Sequence, residues 1–556
     1  MKYTIKQINK CIIHLLLGRR HKSDKIVQQT PTKVIVNAYC TLKLPARRKQ
    51  NNYASNLGTY DSNISGTRTV TKTKIKHDMS YLFLILFFAI NLNCTKLLDV
   101  DSPITNTNGE NVFDENSSAI AVLTGIYTNM SKSDINTGTG WLTNISFTTG
   151  LTSDELELFD KSISYYVQYY ANNISPEENT WAYIYKMIFI SNSAIEHIPA
   201  GKLLSPQIRS QLLGEAKFIR ALCYFYLTNI YGDVPLAITS DYKTNSLLPR
   251  SSITEIYTQI IKDLQDAKAL LSENYIANDG VSETDERIRP NKSAASALLA
   301  RVYLFREKYA EAELESSSLI DNHNLYELVE IGSVFLMNNR EAIWQLQPVG
   351  TAANKTANTR DGQVFKLLPS WPQIGVPVSL SERLASSFEA HDLRKINWID
   401  SIIVNGKTFY YPYKYKIGLE NEPTKEYATV LRLGEQYLIR AEARIQLGKI
   451  SEGISDLNII RKRSTDLSAV PAEQFTQLSL SLSKAAALLA VENERRHELF
   501  TEWGHRWFDL KRTGRADQVL GIIKPGWQST DQLFPLPANE IIGNPNLVGH
   551  QNPGYN

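Results

Sequence analysis

Four prolines, Pro535, Pro537, Pro545 and Pro553, punctuate the segment LFPLPANEIIGNPNLVGHQNPGY. Each fixes its own φ, removes a backbone donor and pushes the preceding residue toward extended conformations, so no continuous helix forms there. Such a segment must lie extended across a body that other residues have built. The stretch before it has the opposite character. Leu488, Val491, Leu499, Trp503, Trp507 and Leu510 are three, four or eight residues apart, one apolar stripe on a helix that faces a core. Glu494, Arg495, Glu498, Glu502, Arg506 and Asp509 lie between them, and Glu502–Arg506 has the favourable i, i+4 order. A pair of that kind stabilises an exposed helix by only about 0.3–0.5 kcal/mol. A glycine inside a helix costs about 1 kcal/mol relative to alanine, so Gly504 predicts a break or a close backbone contact.

From Cys94 onward amphipathic helix dominates, and the fold class expected is mainly α. Leu212, Ala216, Ile219, Cys223, Tyr226 and Ile230 share one face of a helix over 211–231, which Gly232 and Pro235 terminate. A second helix is expected over 253–271. Two later segments, ALLARVYLFREKYAEAE and RAEARIQLGKISEG, align Ala300 with Ala441, Lys308 with Lys449 and Glu311 with Glu452. Both predict a helix, a short turn and a second helix. This is the pattern of a tetratricopeptide-like hairpin, which buries its apolar face only against a neighbour; here the units are dispersed along the chain rather than tandem. Residues 129–179 and 322–429 break the helical pattern and are rich in Asn, Ser, Thr, Gly and aromatics. Within the second, Tyr411, Tyr413 and Tyr415 alternate at strand period, with Lys414 and Lys416 opposite. Long irregular segments on a rigid scaffold are the usual place for a binding site.

The net charge of +3 hides two unlike parts: sixteen Lys/Arg and three acids through Asn93, then 44 basic and 54 acidic residues. An acidic body without a basic patch argues against a nucleic-acid partner. Tyr81 to Ile90 is an apolar run of ten, too short for a bilayer, which needs about 20 residues, but right for the hydrophobic region of a signal peptide. Lys72, Lys74 and Lys76 precede it. Cys94 follows it as the lipid-accepting cysteine of a lipoprotein would, although Asn93 stands where a small residue is usual. Residues 1–78 have no sustained periodicity and are expected to be disordered or an upstream extension translated in error, with Met79 a candidate start. Removal of everything before Cys94 would leave Cys223 the one free thiol, expected as a small core residue.

The run ERRHELFTEWGHRWFDLKRTG and the proline-rich tail resemble the C-terminal signature of the SusD/RagB family. Cys94 with TKLLDV and VFDENSSAIAVLTGIY, then WAYIYKMIFISN with GEAKFIRALCYFYLTNIYGDVPL, then VLRLGEQYLIRAEARIQLG with SDLNIIRKR match it in order. The resemblance implies a SusD-like scaffold of tetratricopeptide-like hairpins with an irregular ligand-binding side. It divides the chain into a signal peptide over 79–93, an N-terminal part over 94–320, an irregular insert over 321–429 and a C-terminal part over 430–556. It also implies a surface-exposed outer-membrane lipoprotein, anchored through Cys94, that binds a nutrient glycan and delivers it as a lid to a SusC-like TonB-dependent transporter. Lid opening would be a hinge or rigid-body motion. A lid must release its cargo, so affinity near micromolar, about −8 kcal/mol, is expected.

Sugar recognition needs flat aromatic surfaces and polar groups for hydroxyls. The candidates in the irregular regions are Trp141, Asp154, Tyr169, Tyr170, Trp371 and Trp398, the aromatic ones with core packing as their competing role. Ser153 competes as a helix cap, and Trp181, Trp503 and Trp507 are assigned to the framework. His497 and His505 are expected as surface or supporting groups, since RHELFTEW lacks the second histidine of a zinc-protease helix. No carboxylate stands in a glycosidase motif, and no nucleotide-binding or nucleophile-elbow motif occurs, so an enzyme is not expected. No cofactor is implied; a structural calcium ion stays open, because its oxygen ligands can come from scattered positions. The alternatives are a non-catalytic helical adaptor, a peptide-nutrient binder and a glycoside hydrolase.

Overall fold

Ser205 accepts a hydrogen bond from the Ile208 amide, Pro206 occupies the first turn, and a helix then runs from Pro206 to Tyr231 until Gly232 ends it at φ +77°. In the computed structural model, which describes residues 111–131, 142–159, 161–177, 180–350, 356–368, 378–418, 422–469 and 476–555, this is the central helix. Residues 218–228 are buried on every side, beyond the single stripe expected, because Thr180–His197 and Ile253–Leu270 flank it. Cys223 is in the core as expected. Cys94, the signal segment, Trp141 and Trp371 lie outside the described residues.

The two matched segments form matched hairpins. Lys292–Phe305 turns into Tyr309–Ile320, and Leu433–Gln446 into Ile450–Arg463. The turns agree residue for residue: Lys308 and Lys449 have φ, ψ of −84°, 70° and −83°, 61°, and the preceding Glu307 and Gly448 both take positive φ. Glycine adopts that conformation freely, whereas Glu307 is held there against its preference. Although far apart in sequence, the hairpins pack directly, Tyr309–Ile320 against Leu433–Gln446. A buried ion pair from Arg301 to both oxygens of Glu435, at 2.6 and 2.7 Å, joins them.

The segments expected to be irregular carry more regular structure than their composition suggests. Helices Leu142–Thr152 and Ser164–Tyr170 fall in the first, and most of the β structure in the second. Leu156–Leu158 pairs with Val378–Leu380, Ala342–Leu346 with Ala428–Arg432, and Ile399–Val404 with Lys407–Pro412, all antiparallel. Among the described residues every sheet has two strands.

The Gly504 expectation is met in both of its forms. The C-terminal helix stops at Glu498 and restarts at His505, with Thr501, Trp503 and Gly504 at positive φ between them. A Cβ on Gly504 would sit 2.8 Å from Phe508 and 3.0 Å from Thr149. Trp503 tolerates its backbone because its amide donates to Ser146 Oγ (2.9 Å) and its indole to the Thr429 carbonyl (2.5 Å).

This corner turns Glu498 and Glu502 inward, so the Glu502–Arg506 pair does not form. Glu502 instead holds Arg432 (2.8 Å) and Lys414, while Arg506 reaches Asp154 and Glu492. Glu498 receives Arg432 at 2.7 Å, Arg394 at 3.1 Å and Arg463. Arg432 also meets Glu341, and Arg394 also meets Asp392 and Glu494. Burial alone would raise the Glu498 pKa; the three guanidiniums outweigh it and hold the carboxyl well below the usual range. Of the histidines expected as surface or supporting groups, both take the supporting place, His505 buried and His497 half-buried. His497 stacks 4.5 Å from Phe388 and bonds Ser387 Oγ at 2.9 Å, its pKa pushed down to about 3 by burial and the arginines around it. His505 is 5% exposed.

The proline-rich tail lies across the folded body as expected, broken by two short turns at Ala538–Gly543 and Pro545–Leu547. Phe534 and Leu536 are buried, and the Phe534 amide bonds the Ile230 carbonyl at 3.0 Å. Asn552 donates to the carbonyls of Tyr231 (2.8 Å) and Phe534 (2.7 Å), while Arg250 clasps Asn552 Oδ1 and the His550 carbonyl, both at 2.7 Å.

Replacing Glu498 with glutamine keeps the shape and leaves three guanidiniums short of a charge. Urea unfolding should show a loss of about 3–5 kcal/mol. An unchanged midpoint would mean that Glu341, Glu494 and Glu502 neutralise the cluster without it.

Candidate functional site

Three of the candidate residues lie in the interior. Tyr169 is fully buried on the Ser164–Tyr170 helix, its ring 5.4 Å from Tyr165 and 5.8 Å from Phe534. Trp398 is 1% exposed, donates to the Ile331 carbonyl at 2.9 Å, and has the Lys414 ammonium 4.8 Å from its ring. Asp154 sits between Arg506, at 2.7 and 3.1 Å, and Arg496, at 3.0 Å. Side chains buried in this way offer no surface for a sugar to stack on, and the polar atoms of Trp398 and Asp154 are already bonded within the protein. Tyr170 differs: it is part-exposed, with the Lys524 ammonium 4.9 Å from its ring. Ser153 follows the Leu142–Thr152 helix instead of starting one, its hydroxyl donating to the Gly150 carbonyl at 3.2 Å.

The surface of the irregular side belongs to residues that were not singled out as candidates. Asn405 and Gly406, at φ +53° and +79°, close the Ile399–Pro412 hairpin in a two-residue turn that follows strand twist. Asn-Gly between alternating strands is a strong hairpin signal that could have revealed it. Phe409 meets the exposed ring of Phe159 edge-on at 5.8 Å. Tyr411 is buried beneath them, packing edge-on against the half-buried Tyr413 at 5.9 Å and donating to Asp400 Oδ2 at 2.6 Å. The ammonium groups of Lys366 and Lys416 lie 5.7 and 5.5 Å from the Tyr413 ring centre, and Leu367 is buried beneath the group. The alternation expected beyond Pro412 does not hold. Tyr415 turns inward to accept from the Thr429 amide, and Lys414 is drawn under Trp398 to Glu502. Burial pulls its pKa down to about 8, with Glu502 opposing that shift.

The hairpin therefore presents aromatic rings beside two ammonium groups and a carboxylate. Such a set can pack the apolar face of a sugar and bond its hydroxyls. The chain continues from Leu368 into residues 369–377, which include Trp371. The interior carboxylates are arranged differently. Glu155 is 2% exposed and accepts from the Thr501 amide at 3.1 Å; burial, then the neighbouring Asp154, push its pKa up to about 8. Burial would raise Asp154 too, but Arg506 and Arg496 hold it below its ordinary value. These two do not flank an open cleft, as paired glycosidase carboxylates do. Among the described residues no group of three His, Cys, Asp or Glu is placed to hold a metal ion, and no helix is long and apolar enough to cross a membrane.

A raised carboxyl pKa contributes stability that is complete below the unfolded value and lost as pH rises toward the folded one. Thermal melts of Glu155→Gln and the parent protein should therefore converge near pH 4.5 and separate up to about pH 8, the variant melting higher on the alkaline side. Parallel curves across that range would show that Glu155 is ionised in the fold.

Residues 96–304 match a SusD-like family described as starch-binding and associating with the outer membrane, and residues 382–555 match the SusD family. SusD-like protein P2 of Formosa agariphila is 25% identical over 533 residues, covering 86% of this chain and all of that protein. Among solved structures, a SusD homologue from Bacteroides thetaiotaomicron superposes with a TM-score of 0.67 at 18% identity, covering 81% of this chain and 99% of its own. A laminarin-binding SusD-like protein superposes at 0.62 with 23% identity, covering 80% of this chain and 100% of its own. With the helical hairpins, the inward C-terminal corner and the latched tail lying within or beside the matched residues 96–304 and 382–555, this chain belongs to the SusD/RagB family.

Proposed function

We propose that the protein captures a nutrient glycan on its aromatic hairpin face and delivers it to a SusC-like TonB-dependent transporter, held at the outer membrane by a lipid on Cys94. The supporting observation is the group of Phe159, Phe409 and Tyr413, seated on buried Tyr411, with Lys366, Lys416 and Asp400 at its margin. The rigid scaffold beneath it fits a capture device: the hairpin is set against a buried network that holds its base in place, so little ordering is needed when cargo arrives. The family's starch-binding description and a related laminarin-binding fold favour a neutral glucan as cargo. Delivery follows from modest affinity, which lets the cargo pass to a channel.

Calorimetry with laminarin and starch-derived oligosaccharides, with the same samples assayed for new reducing ends, tests this reading. Micromolar binding without cleavage is expected, and Phe409→Ala and Tyr413→Ala should each weaken it roughly three- to tenfold, the effect of about 0.5–1.5 kcal/mol for one aromatic contact. Unchanged affinity in both variants would remove the hairpin from the site, and release of products would replace capture with hydrolysis. Cys94→Ser should shift the protein from the outer-membrane fraction to the soluble one; retention there would exclude the lipid anchor.

A further inference from the structure

On the Thr180–His197 helix, Trp181, Tyr185, Ile188, Phe189 and Asn192 recur at i, i+4, i+7, i+8 and i+11, which places them on one face. That face is one wall of a pocket of about 460 Å³. The short helix Tyr242–Asn245 and the turn of the tail at Ala538–Gly543 supply the others. The volume lies within the roughly 300–1,000 Å³ of small-molecule sites.

Its chemistry is selective. Trp181 and Tyr185 form an aromatic floor with ring centres 4.9 Å apart. Their polar ends are committed, the Trp181 indole to Glu540 and the Tyr185 hydroxyl to the Pro235 carbonyl at 2.6 Å. Phe189 and Tyr242 stand at the rim with 49% and 71% of their surface exposed. Asn539 and Glu540 supply an amide and a carboxylate between them, while the Asn245 amide is taken up by the Thr239 carbonyl at 2.7 Å. No lysine or arginine is among the lining residues, whereas two other cavities of comparable size are lined by Arg495, Arg512 and Arg515, and by Arg306, Lys511 and Arg512. A wall without a cation gives an anionic ligand nothing to pair with. Exposed rings beside one amide and one carboxylate suit a ligand with apolar ring faces and neutral hydroxyls.

We infer that this pocket, between the Thr180–His197 helix and the proline-rich tail, is an auxiliary binding site for a pyranose unit of a neutral glycan, separate from the hairpin face. The inference rests on the glycan-capture reading and gives it a second contact. Two modest sites on one molecule hold a polymer more firmly than either alone, because the second engagement is intramolecular.

Phe189 and Tyr242 are exposed, so their replacement leaves the core intact, which a thermal melt checks. Laminarihexaose and maltohexaose are titrated calorimetrically into the parent protein, Phe189→Ala, Tyr242→Ala and the double variant Phe409→Ala/Tyr413→Ala, with tetramethylammonium chloride as a cationic probe. Two binding events are expected in the parent. Phe189→Ala and Tyr242→Ala should weaken one of them about tenfold and leave the other, which the hairpin variant removes. Unaltered titrations of the two rim variants overturn the pocket and leave the hairpin reading standing. Loss confined to the rim variants supports the pocket and overturns the hairpin as the site. Binding of tetramethylammonium in place of either saccharide, or of no probe at all, overturns the pocket as a sugar site.

Discussion

The Glu498 carboxylate stands where three guanidiniums from three separate segments converge. Arg394 comes from the segment leading into the surface hairpin, Arg432 from the end of a core strand, and Arg463 from the last turn of a scaffold helix. Removing charges from water is costly, and the geometry compensates only if every one is paired. Glu341, Glu494, Glu502 and Asp392 complete that pairing, with Lys414 joining from the hairpin side. The helical scaffold and the irregular face therefore meet through charge as well as through apolar packing. A hydrophobic contact tolerates sliding, whereas a set of directed ion pairs admits one register. The aromatic strip of the hairpin inherits its position from that constraint.

The break after Glu498 is what makes this junction reachable. A straight helix would spread Glu498, Glu502 and Arg506 along one outer face, as their spacing suggests. The left-handed residues at Thr501, Trp503 and Gly504 redirect the chain, so that Glu502 and Arg506 face different partners. A strained tryptophan backbone is sustained by two hydrogen bonds, one from its amide and one from its ring. Local strain is here exchanged for long-range pairing.

The helices were legible because a 3.6-residue period survives in one sequence, and the matched hairpins because their turn residues repeat in place. Even Gly504 announced itself. The candidate site was less legible, since Trp398 and Phe409 are both aromatics in a loop-rich segment and only distant partners separate them. The Lys414 ammonium and the Ile331 carbonyl claim Trp398, whereas Phe409 stays half-buried against Phe159. The interior place of Asp154 is hidden for the same reason: its partners Arg496 and Arg506 lie more than three hundred residues downstream. The strand ending at Pro412 likewise hid the inward turn of Lys414, because the buried Glu502 that attracts it comes from another segment. Asn405-Gly406, next to the alternating tyrosines, is the local signal that marks the turn of the hairpin.

The latch on the proline-rich tail bears on the order in which the protein acquires its shape. The Tyr231 carbonyl, at the end of the central helix, takes its hydrogen bond from Asn552, 321 residues later in the chain. Until the ribosome has made that residue, the helix end lacks this partner, and Phe534 and Leu536 have not yet covered the apolar surface beside it. Contacts so distant in sequence form late, since a long loop must close before they repay its entropy. The end of the central helix is therefore completed only by the last residues of the chain to be made.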